Sequence, residues 1–278
     1  MTIHMRVHTS LRGLLPGVYP ESFQFPGGEW HLRDIPSFPE DEKVTLIADV
    51  RGADAVDLLK AALWSNVAGG THGFILMLPY LPAARADRGV PLGARVYAKM
   101  IGSMDADAVI GLDPHSEMIT EEIRNLKIAD HHDLVIGAIG NDRLYDALIC
   151  PDKGAIERTE ALAARMGLDV YYAEKHRDFE TGKITGIEIP KPPPAHGRYL
   201  IADDICDGGG TFMGLADALP SDRLGLWVTH GIFSGKADRL RGSFEHIYTT
   251  DSHPGHNRVG VATTIVPCFH SMFDATHL

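Results

Sequence analysis

The chain has 278 residues, 44% of them hydrophobic and 23% charged, with a formal net charge of −11; this suits one large α/β unit or two small ones and excludes a disordered or fibrous chain. The acidic balance argues against a broad phosphate-neutralising surface, so nucleic acid is not an expected partner. No apolar run reaches the ~18 residues of a membrane span and the first ten residues lack a secretory hydrophobic segment, so no membrane partner and a cytoplasmic location are expected.

From residue 44 onward, short apolar runs alternate with segments of helical period, the pattern of βα units building a mostly parallel sheet. Strands are expected at 44–50, 73–79, 107–113, 146–150, 169–175, 198–204, 223–229 and 244–250. Between them, residues 53–67, 91–104 and 154–167 carry the spacing of amphipathic helices, the middle one with Pro91 in its first turn. Each side of residues 137–143 holds its own strands and helices, which divides the chain into 1–139 and 140–278. The tetrapeptide LIAD occurs at 46–49 and again at 200–203, too short a match to establish a duplication. Consecutive prolines in PKPPPAHG, residues 190–197, form a stiff extended spacer. Cys150, Cys206 and Cys268 are too dispersed for a disulfide framework or a thiolate zinc site and read as small core residues.

The segment YLIADDICDGGGT, residues 199–211, carries the most chemistry. An apolar strand runs into Asp203 and Asp204; a loop with Asp207, Gly208, Gly209 and Gly210 follows; Thr211 then opens a helix. Ligands of open α/β sheets bind beyond the carboxyl ends of the strands. Glycines let backbone N–H groups turn inward, and the helix adds its positive end, which together suit a phosphate. The two adjacent acids suit sugar hydroxyls or a metal that carries phosphates. An acidic strand end before a tight glycine turn has the same pattern, so the segment alone leaves both readings open.

This loop resembles the phosphoribosyl pyrophosphate (PRPP) binding motif of type I phosphoribosyltransferases and ribose-phosphate pyrophosphokinases. Further segments, in family order, resemble the pyrophosphokinases in particular: FPGGEWHL (25–32), PYLPAARADRG (79–89), LDPHSE (112–117), CPDKGAIER (150–158), AEKHRD (173–178) and VTHGIFSGKA (228–237). The resemblance implies two tandem phosphoribosyltransferase-like α/β domains and ATP-dependent transfer of a diphosphoryl group to the 1-hydroxyl of ribose 5-phosphate. It also implies Mg²⁺ as cofactor and a homo-oligomer with its ATP site near a subunit interface.

On matching positions, the resemblance assigns Phe25, Gly27 and Glu29 to the adenine of ATP, and Arg85 and Asp87 to the nucleotide from the main subunit. His115 and Asp152 become metal-site residues, an imidazole and a carboxylate being reasonable partners for a Mg²⁺ that keeps most of its waters. Asp203 and Asp204 hold ribose hydroxyls, Asp207 to Thr211 cradle the 5-phosphate, and Lys175 and Arg177 close over the reacting phosphates. The polar stretch after Lys175, with glycines at 182 and 186, reads as a hairpin lid.

The chain departs from the family pattern in three places. Gly27 stands where Asn or Asp is usual, Ala86 where Gln is usual, and Gly208 where the phosphate loop normally has Thr. The last change opens space beside the phosphate, so a larger 5-phosphoryl ribose such as ADP-ribose is an alternative acceptor, and a non-catalytic regulatory homologue is a third reading.

Overall fold

The computed structural model describes residues 3–16, 20–83, 85–140, 144–177, 184–260 and 263–277. Two compact units form, Met1–Asp130 with Cys268–Leu278, and His131–Pro267.

In the first unit, β1 (Ile3–Thr9), β2 (Gly13–Leu14), a separate hairpin of β3 (Glu21–Gln24) and β4 (Trp30–Arg33), and β5 (Val44–Val50) come first. Then follow α1 (Ala55–Ala68), β6 (Gly73–Leu78), α2 (Gly93–Gly102), β7 (Ala108–Leu112), α3 (Glu117–Glu122) and β8 (Leu126–Ala129). The six-stranded sheet has the order β2-β1-β5-β6-β7-β8, with β5 to β8 parallel and β1 antiparallel to β5. Every residue of VTLIADV in β5 is buried, as a strand covered on both faces requires. In β1, Ile3, Met5 and Val7 face the core while His4, Arg6 and His8 are only half-buried, the two-residue alternation of a strand with one buried face.

Helix α1 starts where the Asp54 carboxylate accepts the Val56 N–H (2.8 Å) and stops at left-handed Gly69. Its Leu58, Ala61 and Trp64 fill the core above β5. Pro91 does not open α2 as expected: that helix begins just after it, at Gly93.

The second unit contains α4 (His131–Ile139), β9 (Ala147–Cys150), α5 (Ile156–Met166), β10 (Asp169–Tyr172), a hairpin of β11 (Glu174–Arg177) and β12 (Ile184–Glu188), and β13 (Tyr199–Cys206). It continues with α6 (Gly210–Ala218), β14 (Leu224–Gly231), β15 (His246–Thr250) and β16 (Thr263–Val266). The sheet is parallel throughout in the order β10-β9-β13-β14-β15-β16. From β9 the chain first crosses through α5 to β10 on one side, then returns to β13 on the other. That reversal opens a crevice beyond the carboxyl ends of β9 and β13, where open α/β sheets place their ligands. After β16 the chain leaves this unit, and α7 (Phe269–Asp274) belongs to the first, with Arg6 stacked 4.2 Å over the Phe269 ring.

The expected mixed α/β class, two mostly parallel sheets with flanking helices, is what the chain forms. Three details differ from expectation. The seam between units falls before α4 rather than after it, and the C-terminal segment returns to the first unit. The single strand expected at 169–175 is two, because β10 ends at Tyr172 and Glu174 already belongs to the hairpin. Strands β1 to β4, β8 and β16 were not expected. The two LIAD copies lie in β5 and β13, each third in its sheet. All three cysteines are free and buried, and residues 189–198, which contain the proline spacer, form neither helix nor strand. Among the described residues, no helix is long and apolar enough to cross a membrane.

Candidate active site

At the carboxyl end of β9 the chain turns at Asp152, whose carboxylate accepts the Gly154 N–H at 3.0 Å and so caps a short 3-10 turn, Lys153–Ala155, that leads into α5. The same carboxylate is ion-paired with Lys175 of β11. One turn into α5, Arg158 places Nη1 3.5 Å from an oxygen of Asp203 and 3.5 Å from an oxygen of Asp204. Thus the start of α5 carries two links, one to the hairpin and one to the acids of β13.

Asp203 and Asp204 lie side by side near the end of β13, and the Asp204 N–H donates to Asp203 Oδ1 at 3.0 Å. Burial first, then the Asp204 carboxylate beside it, pushes the Asp203 carboxyl well above the usual carboxylate range, with Arg158 opposing. Two crowded acids with one shared guanidinium favour a further positive or hydrogen-donating partner, such as a sugar diol or a cation.

The loop beyond β13 is buttressed by the segment after β14. The N–H groups of Ile232 and Phe233 both donate to the Cys206 carbonyl (2.9 and 3.0 Å), and the Ser234 N–H donates to the Asp207 carbonyl at 3.0 Å. The Ser234 hydroxyl donates to the Asp207 carboxylate. Gly209 is left-handed, with φ of 77°, a conformation that strains other residues, and it precedes the first turn of α6. A Cβ added at Gly208 or at Gly210 would meet no atom within 4 Å, so both backbones border open space. Thr211 stands in the first turn of α6, where helical N–H groups lack intrahelical acceptors and the dipole is positive. Gly208, Gly209, Gly210 and Thr211 therefore present open backbone at the positive end of α6, which suits an anion.

Helix α6 also meets the hairpin: a Cβ on Gly214 would stand 3.0 Å from Ile187, the residue opposite Lys175 in the β11–β12 register. Arg177 lies on β11 opposite Ile184. The tip of the expected lid, residues 178–183, lies outside the described residues. Within the second unit, the structure brings together Asp152 with Lys175, and Asp203 with Asp204.

The remaining expected residues lie in the β3–β4 turn and in the loops after β6 and β7 of the first unit. Phe25, Gly27 and Glu29 form the turn between β3 and β4, closed by the Phe25 N–H donating to the Glu29 carbonyl at 2.8 Å. The Phe25 ring is 47% exposed and packs edge-on against Phe23, and the Glu29 carboxylate folds over Gly27, 2.5 Å from where a Cβ would stand. The hairpin base is held by buried Leu32 and by Lys60 of α1 over the Trp30 ring. Arg85 and Asp87 lie in the loop after β6, with Arg88 3.8 Å from Asp87, and exposed His115 lies in the loop after β7. These two loops follow the carboxyl ends of parallel strands.

Arg158 and Ser234 were given no role by the sequence reading, although both stand inside motif segments, which is the signal that could have found them. Burial raises the Cys150 thiol above its usual value and pushes Cys206 up to about 12, which disfavours the thiolate at both.

The chain is similar to ribose-phosphate pyrophosphokinases from Pyrococcus abyssi (28% identity over 247 residues, 80% of this chain and 84% of the relative) and Methanopyrus kandleri (28% over 275 residues, 91% and 90%). The chain thus resembles the ribose-phosphate pyrophosphokinases over most of its length. No protein-family model matches it. The fold is that of the crystal structure of phosphoribosylpyrophosphate synthetase from Mycobacterium smegmatis, with a TM-score of 0.74 and 20% identity over 94% of this chain and 89% of that one. Two of the departures from the ribose-phosphate pyrophosphokinase pattern take physical form here: the backbone at Gly208 is open, and the Glu29 carboxylate lies where a side chain at position 27 would project.

Proposed function

We propose that the chain transfers the diphosphoryl group of ATP to the 1-hydroxyl of ribose 5-phosphate, giving PRPP and AMP. The observation that carries this reading is the glycine cradle, acid pair and Lys175–Asp152 pair gathered along the β9–β13 crevice.

In this reading the Gly208–Thr211 cradle takes the 5-phosphate, and Asp203 and Asp204 take the ribose hydroxyls, with Arg158 keeping both acids oriented. The sugar is thereby held with its anomeric oxygen ready for in-line attack on the β-phosphorus, AMP being the leaving group. Lys175 and Arg177 neutralise charge that builds on the phosphoryl oxygens. Lys175 is stored against Asp152 until phosphates offer a stronger partner. Phe25 offers an exposed aromatic face to adenine, with Gly27 and Glu29 beside it, and Arg85 and Asp87 meet the nucleotide. The ATP site is completed near a subunit interface of a homo-oligomer.

The carboxylate of Asp152 carries hard oxygen atoms of the kind Mg²⁺ takes, so the second unit offers a donor suited to that ion. When bound, it supplies further positive charge for the phosphoryl oxygens.

A second reading, in which a larger 5-phosphoryl ribose such as ADP-ribose is the acceptor, is favoured by the open space at Gly208. Purified protein incubated with ATP, Mg²⁺ and each acceptor separately is expected to release AMP with ribose 5-phosphate. Release with ADP-ribose alone overturns the first reading, and no release with any ribose phosphate supports a non-catalytic regulatory homologue.

A further inference from the structure

An aspartate at the entrance to an anion site is a liability. Its carboxylate repels the ligand, and it also competes for the backbone N–H groups that the ligand needs. This chain shows that competition in two other turns. Asp54 accepts the N–H of Val56 at 2.8 Å, and Asp152 accepts that of Gly154 at 3.0 Å, each capping a helical turn two residues on. Asp207 has the same spacing to Gly209, the residue that leads into α6. A carboxylate turned that way would block the cradle.

Ser234 holds Asp207 elsewhere. Its hydroxyl donates to the Asp207 carboxylate while its N–H donates to the Asp207 carbonyl at 3.0 Å, so one residue grips both ends of the aspartate. The Ser234 carbonyl in turn accepts the Ala237 N–H at 3.1 Å and leads into a 3-10 turn, Ala237–Gly242. Leu240 of that turn backs the loop a second time, since a Cβ on Gly209 would stand 3.2 Å from its side chain. The segment after β14 thus walls one side of the loop, at Asp207 and at Gly209, whereas a Cβ on Gly208 or Gly210 would meet no atom within 4 Å. Ser234 belongs to the wall, and its bond draws the carboxylate there.

We propose that Ser234 is a positioning residue of the phosphate cradle: its hydroxyl keeps the Asp207 carboxylate on the walled side, where it neither caps the N–H groups of the loop nor opposes the incoming 5-phosphate. This rests on the reading of residues 208–211 as the 5-phosphate site, and it gives the Asp207 side chain no contact with the phosphate. Without the hydroxyl the loop keeps its backbone supports, because the Ser234 N–H still meets the Asp207 carbonyl and Ile232 and Phe233 still donate to the Cys206 carbonyl. What is lost is control of the carboxylate.

The test is ribose 5-phosphate binding by titration calorimetry without ATP, together with steady-state kinetics and thermal melting. The proteins compared are wild type, Ser234→Ala, Ser234→Thr, Asp207→Ala and the double variant Ser234→Ala with Asp207→Ala. Ser234→Ala is expected to weaken binding and raise KM about tenfold, with kcat changed less than about twofold. Threonine keeps a hydroxyl and is expected to bind within about threefold of wild type. Asp207→Ala removes the competing carboxylate, so it too should bind within about threefold of wild type, and the double variant should bind more tightly than Ser234→Ala alone. A residue that merely supported the fold would cost the same affinity in both backgrounds. Should Ser234→Ala fail to fold, Asp207→Ala decides by itself, because a carboxylate that contacts substrate cannot be removed without loss. Unchanged binding in Ser234→Ala, equal losses in the two backgrounds, or a loss on Asp207→Ala larger than that on Ser234→Ala overturns the proposal while leaving the proposed function standing. A wild-type protein that binds no ribose phosphate overturns both.

Discussion

Lys175 closes on Asp152 across a sequence separation of 23 residues, joining the hairpin to the turn that starts α5. The lysine side chain is only 10% exposed, so it is largely held away from bulk water. Asp152 meanwhile also satisfies the Gly154 N–H, so loss of Lys175 leaves the turn capped.

Lys175→Ala is therefore expected to fold normally and to lower kcat at least a hundredfold, the equivalent of about 2.7 to 4 kcal/mol of barrier for one lost charge-stabilising donor. Affinity for ribose 5-phosphate alone should change less than threefold. Single-turnover AMP formation and calorimetric binding separate the two effects, and a loss confined to binding would contradict this assignment.

Arg158 neutralises two acids at once, with side-chain exposures of 18% for the arginine, 16% for Asp203 and 5% for Asp204. Arg158→Met should destabilise the protein by on the order of 2 to 4 kcal/mol, because it strands two partly buried carboxylates. Adding Asp203→Asn should recover part of that cost. Urea denaturation of the four members of this double-mutant cycle measures the coupling, and additive losses would show that the contact is too loose to matter.

The raised Asp203 carboxyl makes two linked statements about pH. A carboxyl whose folded value lies above the unfolded one retains a proton that the unfolded chain has lost, so its contribution to stability falls as pH rises from about 3.8 through the folded value. Any cation or sugar diol that demands the ionised pair must expel that proton. Ribose 5-phosphate with Mg²⁺ is thus expected to bind with net proton release, seen as an apparent enthalpy that varies with the ionisation enthalpy of the buffer. Asp203→Asn should abolish the variation.

His253 acts in the opposite sense. With a folded value of about 4 against an ordinary 6.5, the unfolded chain gains a proton at this residue that the folded chain resists. Stability present at pH 7 is therefore lost as pH falls from 6.5 towards 4, by on the order of 1 to 2 kcal/mol once solvent screening of a partly exposed ring is allowed for. Burial shifts His4 and His8 of the first unit in the same direction. Melting temperatures of His253→Gln and wild type, compared at about pH 7 and about pH 4.5, should show the variant losing less on acidification.

Gly255→Ala tests the seat of the loop HPGHNR, residues 253–258, against the Ile232 carbonyl. Its Cβ would meet a backbone carbonyl, which cannot rotate aside, so a loss of about 1 to 3 kcal/mol is expected in thermal or urea unfolding. Unchanged stability would mean that the loop sits farther from Ile232.

Much of this molecule was legible from residue order. The runs VTLIADV and RLGLWVT are apolar over most of their length, as strands covered on both faces are, and three consecutive glycines after an acidic strand end mark a tight backbone turn. Strand β1 was not expected, although Ile3, Met5 and Val7 alternate with His4, Arg6 and His8, and its antiparallel direction could not be read from that alternation, which is the same for either polarity. What tertiary structure alone decided is which loops become neighbours. The order β10-β9-β13 sets the turn at Asp152 between the hairpin and the acid pair, and Asp207 reaches Ser234 across 27 residues through the adjacency of β13 and β14. Local patterns specify each strand's buried faces, whereas strand order follows from how crossovers and helices pack globally, so Arg158 and Ser234 acquire partners that no stretch of sequence displays.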